Sequence, residues 1–240
     1  ERRIALVDEQ RQGEIAVLGA GGRGARGHAG DIACAIVEDR QLTAGSGVIN
    51  MNQLINADKV TGQGVELDFQ AVLSDSLRMT FGGSYNDTEI KDGSLFVQQC
   101  GNFANTGGRA GCTVTDPVGP FPGTVRIDGN PLPRAPRWQA NLTLRYSVPL
   151  GNGDFYADTD WAYRSTYNMF LYEAREYKAK SLLEGGARTG YKWGDGKYEL
   201  AAYVRNITDE VQVQAAIDFD NLTGILTEPR TYGVQFRMNF

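Results

Sequence analysis

The sequence predicts an all-β protein: an antiparallel up-and-down transmembrane β-barrel segment, about eight strands of a partial barrel, with long extracellular loops. Three observations predict it. Apolar and polar residues alternate with period two through most of the chain after residue 60. Short turns at 74–76, 149–153 and 194–196 alternate with longer connections at 91–134, about 168–176 and about 218–225. Outer-membrane barrels carry short turns on one side of the membrane and long loops on the other. Finally, there are 30 glycines in 240 residues, with 11 Tyr and 10 Phe, a composition that suits strands and turns. No run approaches the roughly 18 apolar residues of a membrane-spanning helix, which excludes a helical membrane protein but not a barrel.

Taken in order, residues 1–36 lack alternation and contain GAGGRGARGHAG, an irregular Gly/Arg-rich leader of unclear origin. Residues 37–240 form the barrel portion. A first strand is expected at 37–43. Residues 57–73 place Val65, Leu67, Phe69, Ala71 and Leu73 opposite Glu66, Asp68 and Gln70. After Ser74-Asp75-Ser76, a strand at 77–90 completes a hairpin. The stretch 91–134 is rich in Gly, Pro and Asn and has no sustained period, so it reads as a long loop. Strands at 137–148, 154–167, 178–193, 197–213 and 227–240 follow. Aromatic residues sit near strand ends (Trp138, Tyr163, Tyr191, Trp193), as in an interfacial girdle. The polar face mixes Arg, Glu, Asp, Asn and Gln, as a wet or plugged lumen would. A soluble sandwich would also alternate, and the girdle and the up-and-down order favour the membrane.

Several classes of chemistry find no support. The net charge is −5, against the basic excess expected of a nucleic-acid binder, so no nucleic-acid partner is expected. A single histidine, His28, rules out a His-rich metal site and a convincing hydrolytic triad. No catalytic residue, metal or cofactor is therefore expected, and the protein is not read as an enzyme. Gly19, Gly21 and Gly24 have G-x-G-x-x-G spacing, with Glu38 or Asp39 as a possible ribose partner. The motif needs a helix after its third glycine, and Gly27 and Gly30 each cost a helix about 1 kcal/mol relative to Ala. Arginines on the polar face (Arg78, Arg145, Arg164, Arg188, Arg205, Arg237) either present a field to a ligand or plug, or pair with acidic residues across strands. The second reading is favoured.

Cys100 and Cys112 lie in the long loop without further metal ligands nearby, and read as a loop-closing disulfide formed in an oxidising compartment. In the same loop Phe96, Phe103 and Phe121 sit among Gly and Asn. They are candidates for ligand contact on a rigid barrel, or for a loop that packs on itself.

Four segments carry a family resemblance: NADKVTGQGVELDF (56–69), LPRAPRWQANLTLRY (132–146), YVRNITDE (203–210) and EPRTYGVQFRMNF (228–240). Their order resembles the carboxy-terminal barrel of a TonB-dependent outer-membrane receptor. Within this resemblance Asn206-Ile207-Thr208, a formal glycosylation acceptor, is accidental. Tyr232, Val234, Phe236, Met238 and Phe240 resemble the terminal signal read by the barrel-assembly machinery. The resemblance implies a Gram-negative outer membrane location, lipid contact, and a small-molecule ligand such as a siderophore–iron complex. It also implies energy coupling to an inner-membrane TonB complex through a plug that has no counterpart in this sequence. A receptor fragment is expected on this basis. A self-contained small barrel acting as pore, adhesin or anchor is the alternative.

Overall fold

The computed structural model describes residues 15–17, 25–44, 47–100, 111–218 and 222–239, with side chains for 55–100, 111–218 and 223–239. One nine-stranded antiparallel sheet dominates. Its strands are β1 (Ile15–Val17), β2 (Ala25–Ala44), β3 (Gly47–Ser74), β4 (Leu77–Ile90), β7 (Trp138–Leu150), β8 (Gly153–Arg164), β11 (Leu182–Trp193), β12 (Tyr198–Arg205) and β15 (Thr231–Met238). Neighbours in the sheet follow chain order, so the sheet is an up-and-down meander. Among the described residues β15 pairs only with β12, and the sheet is open. Three two-stranded hairpins sit in the connections: β5 (Phe96–Gln98) with β6 (Thr124–Arg126), β9 (Tyr167–Asn168) with β10 (Lys178–Ala179), and β13 (Val213–Asp218) with β14 (Leu222–Leu226).

The period-two pattern fixes the register. On one face the row Phe69–Phe81–Leu142–Trp161–Gly185 crosses five strands, and Val148–Phe155–Tyr191–Leu200–Phe236 crosses five. On the other face Arg78, Arg145, Asp158, Arg188 and Tyr203 share a row. A one-residue slip would send every apolar side chain to the polar face, so the alternation and the register enforce each other. The apolar face is solvent-free only if lipid covers it: Val65, Leu67, Trp138, Leu200, Val234 and Phe236 are all exposed in the isolated chain.

Aromatic side chains mark the two edges of this apolar band. Tyr191, Trp193, Tyr198 and Phe236 form a ladder of ring contacts at the tight-turn end. Tyr85 meets Trp138 at the other end, ring centroids 4.7 Å apart. Leu183, level with Tyr163, is ten residues from Trp193 along β11. At about 3.3 Å per residue and a tilt of about 40°, that is roughly 25 Å, the height of an outer-membrane apolar band.

The tight turns obey local chemistry. Ser74 Oγ accepts the amides of Ser76 and Leu77 at 3.3 and 3.1 Å. Gly194, Asp195 and Gly196 all have positive φ (62°, 55° and 81°), which two glycines and a short polar residue adopt most readily.

The structure revises several expectations. Strand β2 begins at Ala25, so residues 25–36, expected to be irregular, pair with β3 from Leu67 to Ile55, with a register shift between Ile32 and Cys34. Strand β3 is 28 residues long and runs 13 residues past its pairing with β4, roughly 40 Å at 3.3 Å each. The glycines Gly19, Gly21 and Gly24 lie outside the described residues. The strands flanking them, β1 and β2, pair antiparallel (Ile15 with Gly27), whereas a dinucleotide unit needs a parallel crossover. Glu38 and Asp39 lie within β2, in register with Gln53 and Asn52. The strands expected at 178–193 and 197–213 are each broken. Lys178–Ala179 belongs to a connecting hairpin, and β12 stops at Arg205.

Candidate ligand-facing site: the cap and the lumen wall

Where described, the long connections do not hang as loops. They pack into a cap with a core of its own at the end of the sheet opposite the tight turns. Ile90 at the end of β4 and Val97, Cys100, Val125 and Ile127 from the first connection meet Met169, Leu171, Tyr172, Ala174, Tyr177 and Ala179 from the second, and Ala216 from the third. Ile90 and Ile127 are 0% exposed. No periodic pattern marks this core in advance, because short hairpins and turns bury single residues at irregular intervals.

Polar groups then set the connections against one another. Asp92, two residues past the end of β4, knots the first connection. Its carboxylate accepts the Asp58 amide (3.0 Å) and the Ser94 hydroxyl (2.7 Å), and its own amide donates to Asp128 (2.8 Å). Burial pushes its carboxyl up, but hydrogen bonds from the Ser94 hydroxyl and the Asp58, Ser94 and Leu95 amides outweigh burial and hold it low. A seam joins the first two connections. Val114 bridges Ala174, Asp116 accepts the Glu173 amide (2.6 Å), and Asn130 Nδ2 donates to Asp116 and to the Leu171 carbonyl (3.0 Å). Burial raises the Asp116 carboxyl; the Glu173 amide and Asn130 oppose this, and the Glu173 carboxylate adds to it. Glu176 accepts both the amide and the hydroxyl of Thr113 at 2.8 Å, and these bonds hold its carboxyl low.

The second connection also grips the third. Tyr167 donates to the Gln214 carbonyl (2.5 Å) and Tyr172 to Asp218 (2.6 Å). Phe170, Tyr172 and Tyr177 form one aromatic cluster, and the buried Tyr177 hydroxyl has no hydrogen-bond partner among the described residues. Burial, then Asp218 and Glu176, push that phenol well above its ordinary range. Asn206 closes β12 at φ 46° and saturates its carboxamide. Its Nδ2 donates to the carbonyls of Glu210 (3.0 Å) and Glu228 (2.9 Å), and its Oδ1 accepts Thr208 Oγ1 (2.9 Å) and the Glu210 amide (3.3 Å). At 2% exposure it serves as the knot of this corner.

Of the residues expected to meet a ligand, Phe96 and Phe121 come together, with ring centroids 5.3 Å apart. Phe121 is 58% exposed and Val118 is 82% exposed. The knob is stiff: Thr124 donates from its hydroxyl to the Phe121 carbonyl (2.7 Å), and the Gly119 amide donates to the Thr124 carbonyl (2.8 Å). A Cβ at Gly119 would meet Thr124 Oγ1 at 2.3 Å, so this turn requires glycine. Phe103 lies outside the described residues. Cys100 and Cys112 are disulfide-bonded across a sequence separation of 12, Cα atoms 5.9 Å apart, with Cys100 in the buried core.

Below the cap, the polar face carries two grooves of about 650 and 510 Å³ that share Ala162 and Glu184. Arg188 organises the tight-turn side. It donates to the Tyr156 hydroxyl (2.9 Å), Glu199 (2.7 Å) and Gln235 (2.9 Å), while the Tyr156 hydroxyl donates to Glu199. Tyr156 lies across Gly190, where a Cβ would meet its hydroxyl at 2.7 Å. Arg145 pairs with Asp158 (3.3 Å) and Arg237 reaches Glu199 (3.8 Å), so these three arginines pair across strands. Sequence alone placed Arg188 and Glu199 on the polar face, but the role of Tyr156 depends on the glycine opposite it. Of the terminal residues, Tyr232, Val234, Phe236 and Met238 share the apolar face of β15, and Phe240 lies outside the described residues.

A meander that is apolar toward lipid, polar on the other face and capped at one end is the wall of a transmembrane barrel. The TonB dependent receptor-like β-barrel family matches residues 35–207, and the chain belongs to that family. The family is one of outer-membrane receptors of Gram-negative bacteria. The fold is similar to three solved receptors. The ferric yersiniabactin uptake receptor FyuA of Yersinia pestis superposes with a TM-score of 0.60 at 12% identity, over 95% of this chain and 37% of that one. The siderophore receptor PiuA of Acinetobacter baumannii gives 0.58 at 14% identity, over 92% and 27%. BauA, the ferric preacinetobactin receptor of Acinetobacter baumannii, gives 0.53 at 17% identity, over 93% and 28%. The chain thus spans about a third of the length of these receptors. No curated protein sequence matches it.

Proposed function

We propose that the chain is the carboxy-terminal wall and cap of a larger outer-membrane receptor that takes up a scarce ligand, a siderophore–iron complex, with energy from the inner-membrane TonB complex. The observation that carries this reading is the packed cap: a rigid aromatic knob, Phe96 with Phe121, stands on a buried core above a polar wall. Rigid aromatics lose little entropy on binding and suit a compact, partly apolar chelate. The open sheet supports a larger barrel over a self-contained small one, since an unpaired edge in lipid leaves backbone groups unsatisfied. The receptors of similar fold are a ferric yersiniabactin uptake receptor, a siderophore receptor and a ferric preacinetobactin receptor, and that supports the ligand class. In this reading a plug carried by the rest of the receptor contacts TonB, and β15 presents Tyr232, Val234, Phe236 and Met238, with Phe240, to the barrel-assembly machinery.

The test is twofold. An antibody against 228–240 should detect an outer-membrane band several times larger than the 26.2 kDa of this chain. Cells bearing the whole receptor should bind a radiolabelled ferric siderophore, and Phe121→Ala should weaken that binding about tenfold, or about 1.4 kcal/mol. A band near 26 kDa would put the small-barrel reading first. Binding by a panel of ferric chelates that never exceeds receptor-free cells would remove the siderophore assignment.

A further inference from the structure

We propose that the membrane-facing side of the sheet holds a site for one phospholipid acyl chain. The site is a notch of about 520 Å³ floored by Ala157, Thr159, Ala187, Thr189 and Ala202. These five residues occupy two adjacent rows of the register, Thr159 opposite Ala187 and Ala157–Thr189–Ala202. Large side chains bound them along β8 and on the tight-turn side, Val204 bounds Ala202 on β12, and on β11 the cap-side neighbour of Ala187 is Gly185. The row above carries Leu142 and Trp161, the row below carries Phe155, Tyr191 and Leu200. Leu144 and Tyr146 on β7 form a side wall.

The floor is apolar despite its two threonines. Thr159 donates its hydroxyl to the Gly186 carbonyl (2.8 Å) and Thr189 to the Tyr156 carbonyl (3.1 Å), so both hydroxyls turn back onto the sheet. A hydroxyl left unpaired here would be strongly disfavoured in hydrocarbon. Asp158 and Arg188 border the notch by backbone only, since alternation sends their side chains to the other face. Trp161 leans over Gly185, where a Cβ would meet its ring at 2.5 Å, and so closes the upper rim.

Position selects the occupant. The notch is continuous with the lipid-facing band and lies between the ring ladder of Tyr191, Trp193 and Tyr198, whose Tyr191 borders it, and the Tyr85–Trp138 pair. Headgroups do not reach this depth, and acyl tails fill it. An empty notch would forfeit the dispersion contacts of its lining. A flexible methylene chain fits a shallow, uncharged depression without ordering any protein group.

The test uses the full-length protein folded in phospholipid vesicles. A phospholipid with a photoreactive diazirine at mid-chain is activated, and cross-linked peptides are mapped. We expect labelling of β8, β11 and β12 around the five floor residues to exceed that of the rest of the apolar face at least fivefold. Ala187→Leu with Ala202→Leu fills the notch and should abolish the excess while heat-modifiable gel migration persists. If the double variant fails to fold, the wild-type labelling map decides alone. Even labelling across the apolar face overturns the site. Protein–protein cross-links through Cys substituted at Ala187 would show a second copy in the notch and would equally overturn it.

Discussion

The sheet and the cap are built from the same chain on opposite rules. In the sheet, large apolar residues point outward and stay exposed in the isolated chain: Leu67, Trp138, Leu200, Val234 and Phe236. In the cap, Ile90, Ile127 and Val97 point inward and are excluded from solvent. The sheet faces a medium as apolar as its own side chains, so packing adds little and the backbone ladder carries the element. The cap faces water and must bury its own apolar surface, so it has a conventional core plus a web of side-chain-to-backbone hydrogen bonds. The same substitution should therefore have different consequences in the two regions.

The largest expected effect is in the cap. Ile127→Ala should cost about 2–5 kcal/mol through lost burial and a cavity. Limited proteolysis should cut residues 91–134 faster while heat-modifiable migration of the barrel is unchanged. Leu144→Ala, on the lipid face, should cost well under half as much, because lipid refills the space. Equal losses at the two positions would end the comparison. Charge reverses the ranking: Leu144→Arg near the bilayer midplane should cost about 2–4 kcal/mol by urea unfolding in vesicles, with little change in proteolysis of the cap.

Next is the lumen wall. Arg188→Met leaves Glu199, whose side chain is 8% exposed, with only the Tyr156 hydroxyl and the more distant Arg237, and should cost about 3 kcal/mol in the same assay. Arg188 itself is 30% exposed, which puts the effect at the lower end. Arg188→Met with Glu199→Gln should recover most of the loss; no recovery would mean that Tyr156 and Gln235, rather than charge, hold the site.

The smallest effect is in the seam between connections. Glu176 is held below its ordinary carboxyl value of 4.5 by the amide and hydroxyl of Thr113. Its contribution is thus complete above pH about 4.5 and is lost as pH falls through the lower folded value. The group is exposed and screened, so the change is small. The protection factor of the Thr113 amide, its exchange relative to the unstructured rate at the same pH, should fall on acidification, and Glu176→Gln should flatten that profile. A profile unaltered by Glu176→Gln would place the acid sensitivity elsewhere, with Asp116 the next group to test.

The amino-acid sequence by itself determined the sheet. Period-two alternation in Val65–Leu73, Trp138–Val148 and Tyr232–Met238 sets which face meets lipid, and a one-residue slip would invert it, so register is legible locally. Turns such as Gly194-Asp195-Gly196 are equally local, because backbone conformation alone demands those residues. Residues 25–36 were the exception within the sheet, since their glycines hide the pattern that β3 enforces by pairing. The cap was decided only by tertiary structure. Asp116 meets Glu173, Asn130 meets Leu171 and Tyr172 meets Asp218 across gaps of 41 to 57 residues. Such contacts leave no periodic trace, because each residue's partner is set by how the sheet brings the strand ends together. The same holds for the notch and for Tyr156: alternation assigns each residue a face, but which side chains lie beside which glycine or alanine is fixed by the pairing of separate strands.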